Sequence, residues 1–185
     1  MDEQNPHQEA LFAAPVLGTD DHVGYRGPTA CSAAGITYRQ LDYWARTELV
    51  VPSVRSATGS GSQRLYSFKD ILVLKVVKRL LDTGVSLQNI RLAVETLRRR
   101  GVADLARITL FSDGTTVYEC TSAEEVVDLL RGGQGVFGIA VSGALRELAG
   151  SLADFPAERA EADDSAAPRG SSDELSRRRL RRTAG

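Results

Sequence analysis

The chain has 185 residues, 42% of them hydrophobic, and a formal net charge of -1, which allows one domain of ordinary size or two small ones. No stretch approaches the roughly 18–20 apolar residues that cross a membrane, and the first residues lack a basic segment followed by an apolar run. We therefore expect a cytoplasmic protein without a membrane partner. The charge is unevenly distributed, because residues 25–100 carry +8 whereas residues 1–24 and 101–155 each carry -5. A basic block between acidic ones is typical of a protein that binds a charged partner, most often nucleic acid.

Histidine and cysteine usage argues against catalysis. His7 and His22 both precede any periodic pattern, so the folded part offers neither a Ser-His or Cys-His arrangement nor a histidine-ligated metal site. Cys31 and Cys120 lie far apart without a CxxC spacing, which favours a packing role in a reducing compartment. We expect no catalytic residues, no metal and no cofactor, so an enzyme is the weakest functional reading.

The two ends of the chain have the composition of disordered segments. Residues 1–24 and 156–185 are rich in charge, Ala, Pro, Gly and Ser and carry few large apolar groups that could offset the entropy of ordering. The basic run at Arg177–Arg182 is either a solvated tail or a source of non-specific attraction to DNA.

The segment after the N-terminal arm has the shape of a helix-turn-helix. A short helix over residues 28–33 is followed by a break at Ala34-Gly35 and a helix over residues 37–47, where Thr37 and Gln40 form a capping box. The second helix turns Leu41, Ala45 and Trp44 inward. Its outward residues are Arg39, Asp42, Tyr43 and Arg46.

Two extended runs, "LVVPSVRS" and "QRLYS", follow and are joined by the Gly-rich residues 57–62, which predicts a hairpin with a loose tip. A second capping box, Ser67 with Asp70, opens a helix over residues 68–83. A further helix over residues 87–100 ends at three arginines and Gly101.

The acidic segment 101–155 predicts a small mixed α/β domain and gives the chain an α+β fold. An Asp113-Gly114 turn indicates a hairpin, "TSAEEVVDLL" a helix, and "RGGQGVFGIAV" either a tight turn or a weak anion site. The last helix, over residues 141–155, carries an apolar stripe that is either core or a short coiled-coil seam for dimerisation. The stripe consists of Val141, Leu145, Leu148, Leu152 and Phe155.

The order of these features resembles the MerR family of winged helix-turn-helix transcription regulators. The matching landmarks are Tyr43-Trp44, Leu49 to Pro52, Arg64-Leu65-Tyr66, and Gly84-Val85-Ser86-Leu87 with Ile90. Together they span residues 29–100. The resemblance implies a DNA-binding domain over residues 25–100 and a C-terminal dimerisation or effector domain over residues 101–155.

The resemblance also implies which residues meet double-stranded DNA. Thr37, Tyr38 and Arg39 lie at the start of the recognition helix, which enters the major groove. Arg64 on the wing binds phosphate, and Arg55 lies beside it. The full set expected at DNA is Thr37, Tyr38, Arg39, Gln40, Asp42, Tyr43, Arg46, Arg55, Arg64 and Tyr66.

Many members continue after Arg100 into a long helix that forms a coiled-coil dimer, whereas this chain has Gly101 and a hairpin at residues 107–120. In this the chain resembles an actinobacterial subgroup of the family with a small mixed α/β C-terminal domain.

Two single positions also depart from the family pattern. Members usually carry an Arg where this chain has Asp42 and a Gly where it has Glu48. An acid at position 42 repels phosphate unless it accepts from a cytosine amino group or pairs with Arg39 or Arg46. Glu48 removes the usual glycine cap from the end of the recognition helix.

By the same resemblance we expect a homodimer that binds a two-fold operator and distorts promoter DNA for RNA polymerase. The chain lacks the clustered thiolates of metal-sensing members. The alternative function is a protein-interaction adaptor, in which the acidic C-terminal domain binds a partner and the helix-turn-helix is structural.

Overall fold

A computed structural model describes residues 22–56, 63–114, 116–131 and 136–160. The predicted wing tip (57–62), the arginine run (177–182), most of the N-terminal arm (1–21) and residues 132–135 of the Gly-rich segment lie outside the described residues. The elements are β1 (Val23–Arg26), α1 (Gly27–Ala34), α2 (Tyr38–Arg46), β2 (Leu65–Tyr66), α3 (Phe68–Asp82), α4 (Leu87–Arg99), α5 (Val102–Leu105), β3 (Thr109–Ser112), β4 (Val117–Cys120), α6 (Ala123–Arg131), β5 (Phe137–Ala140), α7 (Val141–Leu152) and β6 (Glu158–Arg159).

Helices α1 and α2 form the helix-turn-helix. Gly35 ends α1 in the left-handed region with φ of 72°, a conformation that costs glycine little because it has no Cβ. The capping box predicted at Thr37 and Gln40 is present: the Thr37 hydroxyl accepts from the Gln40 amide, and the Gln40 side chain accepts from the Thr37 amide.

Strands β1 and β6 are not in the sequence prediction, which assigned Val23, Gly24 and both residues of β6 to the disordered ends. β1 pairs antiparallel with β2 through Tyr25 and Tyr66, and with β6 through Val23 and Arg159. Arg26 also forms an ion pair with Glu158. The β1–β2 partners lie about 40 positions apart in the sequence and the β1–β6 partners more than 130, so local composition does not indicate these pairings.

Helix α3 lies at the centre of the core. Nine of its fifteen residues are buried, and it packs against α1, α4 and α7. Its predicted capping box is present, because the Ser67 hydroxyl accepts from the Asp70 amide while Asp70 accepts from the Ser67 amide. Eight of the nine buried residues of α3 are apolar, and the ninth is Asp70 of the capping box.

The C-terminal part contains a three-stranded sheet in the order β4-β3-β5. The hairpin predicted around Asp113-Gly114 is present as β3 and β4, and Phe111 pairs with Tyr118 across it. β5 lies on the other side of β3, where the Phe111 ring leaves no room for a side chain at Gly138: a Cβ there would lie 2.8 Å from the ring.

Most of the apolar stripe predicted for dimerisation is buried within the chain, on helix α7, which corrects that prediction. Val141, Leu148 and Leu152 are buried within this single chain, and α7 packs against α3 and α1. These three side chains are core, the other interpretation of the stripe, and they are not free to contact a partner. Leu145 is half-buried and Phe155 is 39% exposed, beyond the end of the helix. The helix ends early because residue 155 precedes a proline, which disfavours helical backbone.

The predicted α+β class is confirmed. One buried cluster runs from Tyr25 in β1 to Leu152 in α7 and includes residues on both sides of residue 101. The division into a DNA-binding and a C-terminal domain stays a prediction, and the two parts share one continuous core.

Candidate DNA-binding site

The outward face of α2 presents polar and aromatic side chains. Leu41 and Trp44 are buried beneath it, whereas Tyr38 is 63% and Tyr43 47% exposed. Because inward residues recur every three to four positions, the others project together. They border a shallow groove of about 350 Å³ lined by Thr37, Arg39, Gln40, Tyr43 and Arg46.

The end of α2 is held by an unusual backbone conformation and by an arginine. Glu48 adopts φ of 57°, the left-handed region that glycine favours. The Arg91 guanidinium on α4 donates to the Thr47 carbonyl at 3.0 Å, which supplies a partner and a positive charge at the helix C-terminus. Glu48 thus keeps the geometry of a glycine cap without the glycine.

The base of the wing is a backbone pair between Arg55 and Leu65. The Leu65 amide donates to the Arg55 carbonyl at 2.9 Å, and the Arg55 amide donates back at 3.2 Å. The Arg55 Nε also donates to the Gln63 carbonyl at 3.0 Å. Arg55 and Arg64 therefore lie on the two arms of the predicted wing.

Asp42 connects α2 to the predicted wing. Its Oδ1 accepts from Arg64 at 2.9 Å, and its Oδ2 pairs with Arg46 Nε at 2.9 Å. The hydrogen bond from Arg64 and the charge of Arg46 hold the pKa of the Asp42 carboxyl below its usual range. Of the two partners considered from sequence, Arg46 is present. Arg39 makes no ion pair with a described residue, and the pairing with Arg64 was missed.

Tyr66 is a correction to the predicted DNA contacts. Its side chain is fully buried beneath the wing, and burial raises the pKa of Tyr66 to about 12. Its hydroxyl has no hydrogen-bond partner among the described residues, although the Arg64 guanidinium lies near enough to oppose the rise in pKa. The sequence correctly predicted an extended run that contains Tyr66, but the packing of β2 against α1 and α3 buries the side chains of both Leu65 and Tyr66.

A cleft of about 440 Å³ separates the start of α2 from the wing. Its walls bring together residues from β1, α1, α2 and the wing, namely Arg26, Gly27, Pro28, Tyr38, Leu41, Asp42, Gln63 and Arg64. Arg26 and Gln63 were not predicted there. The signal for Arg26 was its position as the first basic residue after the acidic arm.

Neither a metal site nor a membrane-spanning helix is found in the part of the chain that the structure describes. Across these residues no group of three or more His, Cys, Asp and Glu side chains is placed to hold a metal ion. No helix within the described ranges is long and apolar enough to span a membrane.

Comparison with known proteins adds evidence from the sequence as a whole. Residues 25–97 match the family described as MerR HTH family regulatory protein. Three relatives, each described as an uncharacterized HTH-type transcriptional regulator, come from Mycobacterium bovis and two strains of Mycobacterium tuberculosis. Each is 77% identical over 178 residues, which cover 96% of this chain and 77% of the relative. The predicted family is thereby confirmed: the chain belongs to the MerR family of HTH transcriptional regulators.

Proposed function

We propose that this regulator binds a two-fold operator as a homodimer, with α2 in the major groove and the wing on the flanking phosphate backbone. The observation that carries the proposal is the cleft between Tyr38 on α2 and Arg64 on the wing. In this proposal the bases face the α2 side of the cleft and the phosphates face the wing side. Regulators of this shape read base edges from the first turns of the recognition helix.

The exposed start of α2 supports the base-reading role. Tyr38 and Arg39 occupy the first two positions of the helix, and both side chains are exposed. Arg39 is exposed, lines the groove on α2 and forms no ion pair with a described residue, so its guanidinium is available for a bidentate contact to guanine. Thr37 and Gln40 are committed to the capping box, which leaves them the role of fixing the helix start.

The wing and β1 support the phosphate-binding role. Arg55 and Arg64 lie on the two arms of the wing. Arg26 lines the cleft together with Arg64. Contacts of this kind position a protein on DNA and depend strongly on salt, because each neutralised phosphate releases counterions.

The small size of a single module supports the homodimer, and the resemblance to the family supports the DNA distortion. One helix-turn-helix buries too little DNA surface for tight specific binding, whereas two copies related by a two-fold axis read two half-sites. Bending or untwisting promoter DNA toward a geometry that RNA polymerase accepts costs about 1–6 kcal/mol, which the added contacts must offset.

Selection from random duplexes followed by binding titrations at rising salt tests the proposal. We expect enrichment of an inverted repeat, two protomers per duplex by sedimentation, and a steep loss of affinity with salt. Energy transfer between dyes at the duplex ends should rise on binding if the DNA bends. Binding that ignores both sequence and salt would overturn the proposal, and retention of a stoichiometric protein partner instead of DNA would favour the adaptor.

Single substitutions separate the phosphate-binding role of the wing from the base-reading role of α2. Arg64→Ala should weaken binding to the operator roughly tenfold, weaken binding to unrelated sequences as well, and reduce the salt slope by about one per protomer. Tyr38→Ala and Arg39→Ala should change the selected sequence. Arg131→Ala on α6 is the matched control because Arg131 is an exposed arginine outside the cleft, and it should change neither quantity.

A further inference from the structure

Asp42 joins two parts of the protein that would meet DNA differently. It lies on α2, the proposed base-reading helix, and its Oδ1 holds Arg64 of the wing at 2.9 Å. Its Oδ2 holds Arg46 of α2 at 2.9 Å. Both carboxylate oxygens are therefore occupied by guanidinium groups, and one short side chain links helix to wing.

The exposure of this cluster shows that it belongs to the surface. The Asp42 side chain is 32% exposed and that of Arg64 25%, and both residues line the cleft between α2 and the wing. An acid in this place opposes the approach of phosphate, where an uncharged side chain would not. The same acid gives Arg64 one defined position relative to α2 before DNA arrives.

These two effects act differently on correct and incorrect DNA. Non-specific binding depends almost wholly on phosphate contacts. Its affinity is therefore lowered both by the negative charge of Asp42 and by the engagement of the two guanidinium groups with that carboxylate. Specific binding also gains base contacts from α2 and benefits from a wing held in place, because less freedom is lost on docking.

We infer that Asp42 is a positioning residue that sets the DNA selectivity of this regulator by holding Arg64 and Arg46 back from non-specific phosphate contact. The inference rests on the proposed function. Asp42 raises selectivity in two ways: its charge repels phosphate, and its attraction for Arg64 holds the wing in place. Specific interfaces exclude wrong partners by the same combination of repulsion and attraction.

The test compares wild-type and Asp42→Asn chains on the selected operator and on a scrambled duplex of equal length, at several salt concentrations. We expect affinity for the scrambled duplex to rise about tenfold and affinity for the operator to rise less, so that their ratio falls by threefold or more. The salt slope on scrambled DNA should steepen by about one per protomer. Asp42→Glu, which retains the charge, should restore part of the ratio.

Asp82→Asn is the matched control. Asp82 is an exposed aspartate that pairs with Lys78 one turn away on α3. Asp82→Asn therefore changes the net charge by the same amount as Asp42→Asn, at a residue that does not line the cleft. It should leave the operator-to-scrambled ratio unchanged. In an Arg64→Ala background, the effect of Asp42→Asn on the ratio should shrink, because the helix-to-wing link is already absent.

An unchanged ratio in Asp42→Asn would overturn the inference, as would an equal loss of affinity for both duplexes, which is the signature of a merely structural role. Asp42→Ser gives a second variant should the amide fold poorly. A wild-type chain that does not distinguish operator from scrambled DNA would overturn the proposed function itself, so the two failures are distinguishable.

Discussion

The Arg79 Nη2 on α3 lies 2.7 Å from both carboxylate oxygens of Glu147 on α7. Lys75, one turn before Arg79, approaches the same carboxylate at 3.3 Å and donates to the Ala33 carbonyl at the end of α1 at 3.2 Å. A single acid on α7 thus fixes two cations of α3, one of which also holds the first helix of the helix-turn-helix. The C-terminal part is connected to the DNA-binding part by charge as well as by apolar packing.

Glu147→Gln should loosen this connection. Because Glu147 is 55% exposed, we expect a loss of only about 0.5–1 kcal/mol in the free energy of unfolding, measured by urea titration. Hydrogen exchange should quicken more in α7 than in α3. Glu95→Gln, which removes an exposed helical pair with Arg99 at 3.7 Å, should change stability less. Equal effects of the two variants would show that the α3–α7 ion pairs contribute nothing specific.

The same carboxylate predicts a pH dependence. The Arg79 hydrogen bond lowers the pKa of Glu147 below its ordinary value of 4.5. A group whose pKa is lower in the folded state contributes stability above its unfolded pKa and loses it as the pH falls through the folded value. The stability difference between wild type and Glu147→Gln should therefore be constant near neutral pH and disappear below pH 4.5. A difference that persists in acid would contradict the assigned ion pair.

Glu48→Gly should stabilise the chain. A residue with a Cβ at φ of 57° bears a conformational cost that glycine avoids, so we expect a gain of about 1 kcal/mol. Glu48→Ala removes the same charge but keeps the Cβ, and it should bring no such gain. Thermal unfolding of the two variants separates backbone strain from side-chain charge, and equal behaviour would argue against strain.

Tyr66→Phe should leave DNA binding unchanged and stabilise the fold by about 1 kcal/mol, because it removes a buried hydroxyl that has no partner among the described residues. Tyr66→Ala should instead cost about 3–5 kcal/mol through the cavity it leaves. Destabilisation by Tyr66→Phe would reveal a hydrogen bond to the hydroxyl.

Several local features could be predicted from sequence because their determinants lie within a few residues. The capping boxes at Thr37 and Ser67 need partners three positions away, and the Asp113-Gly114 hairpin needs a turn and two short flanking runs. The order of such features also sufficed to indicate the family.

Contacts between distant segments escaped prediction. β1 depends on partners near residues 65 and 158, and Asp42 meets Arg64 across 22 positions, so neither leaves a periodic trace in the chain. The α7 stripe had the spacing of a coiled-coil seam, yet the same spacing serves a helix buried against α3.

The sequence by itself determined the helix-turn-helix, its caps and its basic charge, since these depend on local backbone preference and composition. Tertiary structure decided which apolar face is covered and which arginine meets which acid. Tyr66 and Leu148 became core, and Asp42 became the link between helix and wing, because burial and charge pairing depend on what the fold brings near.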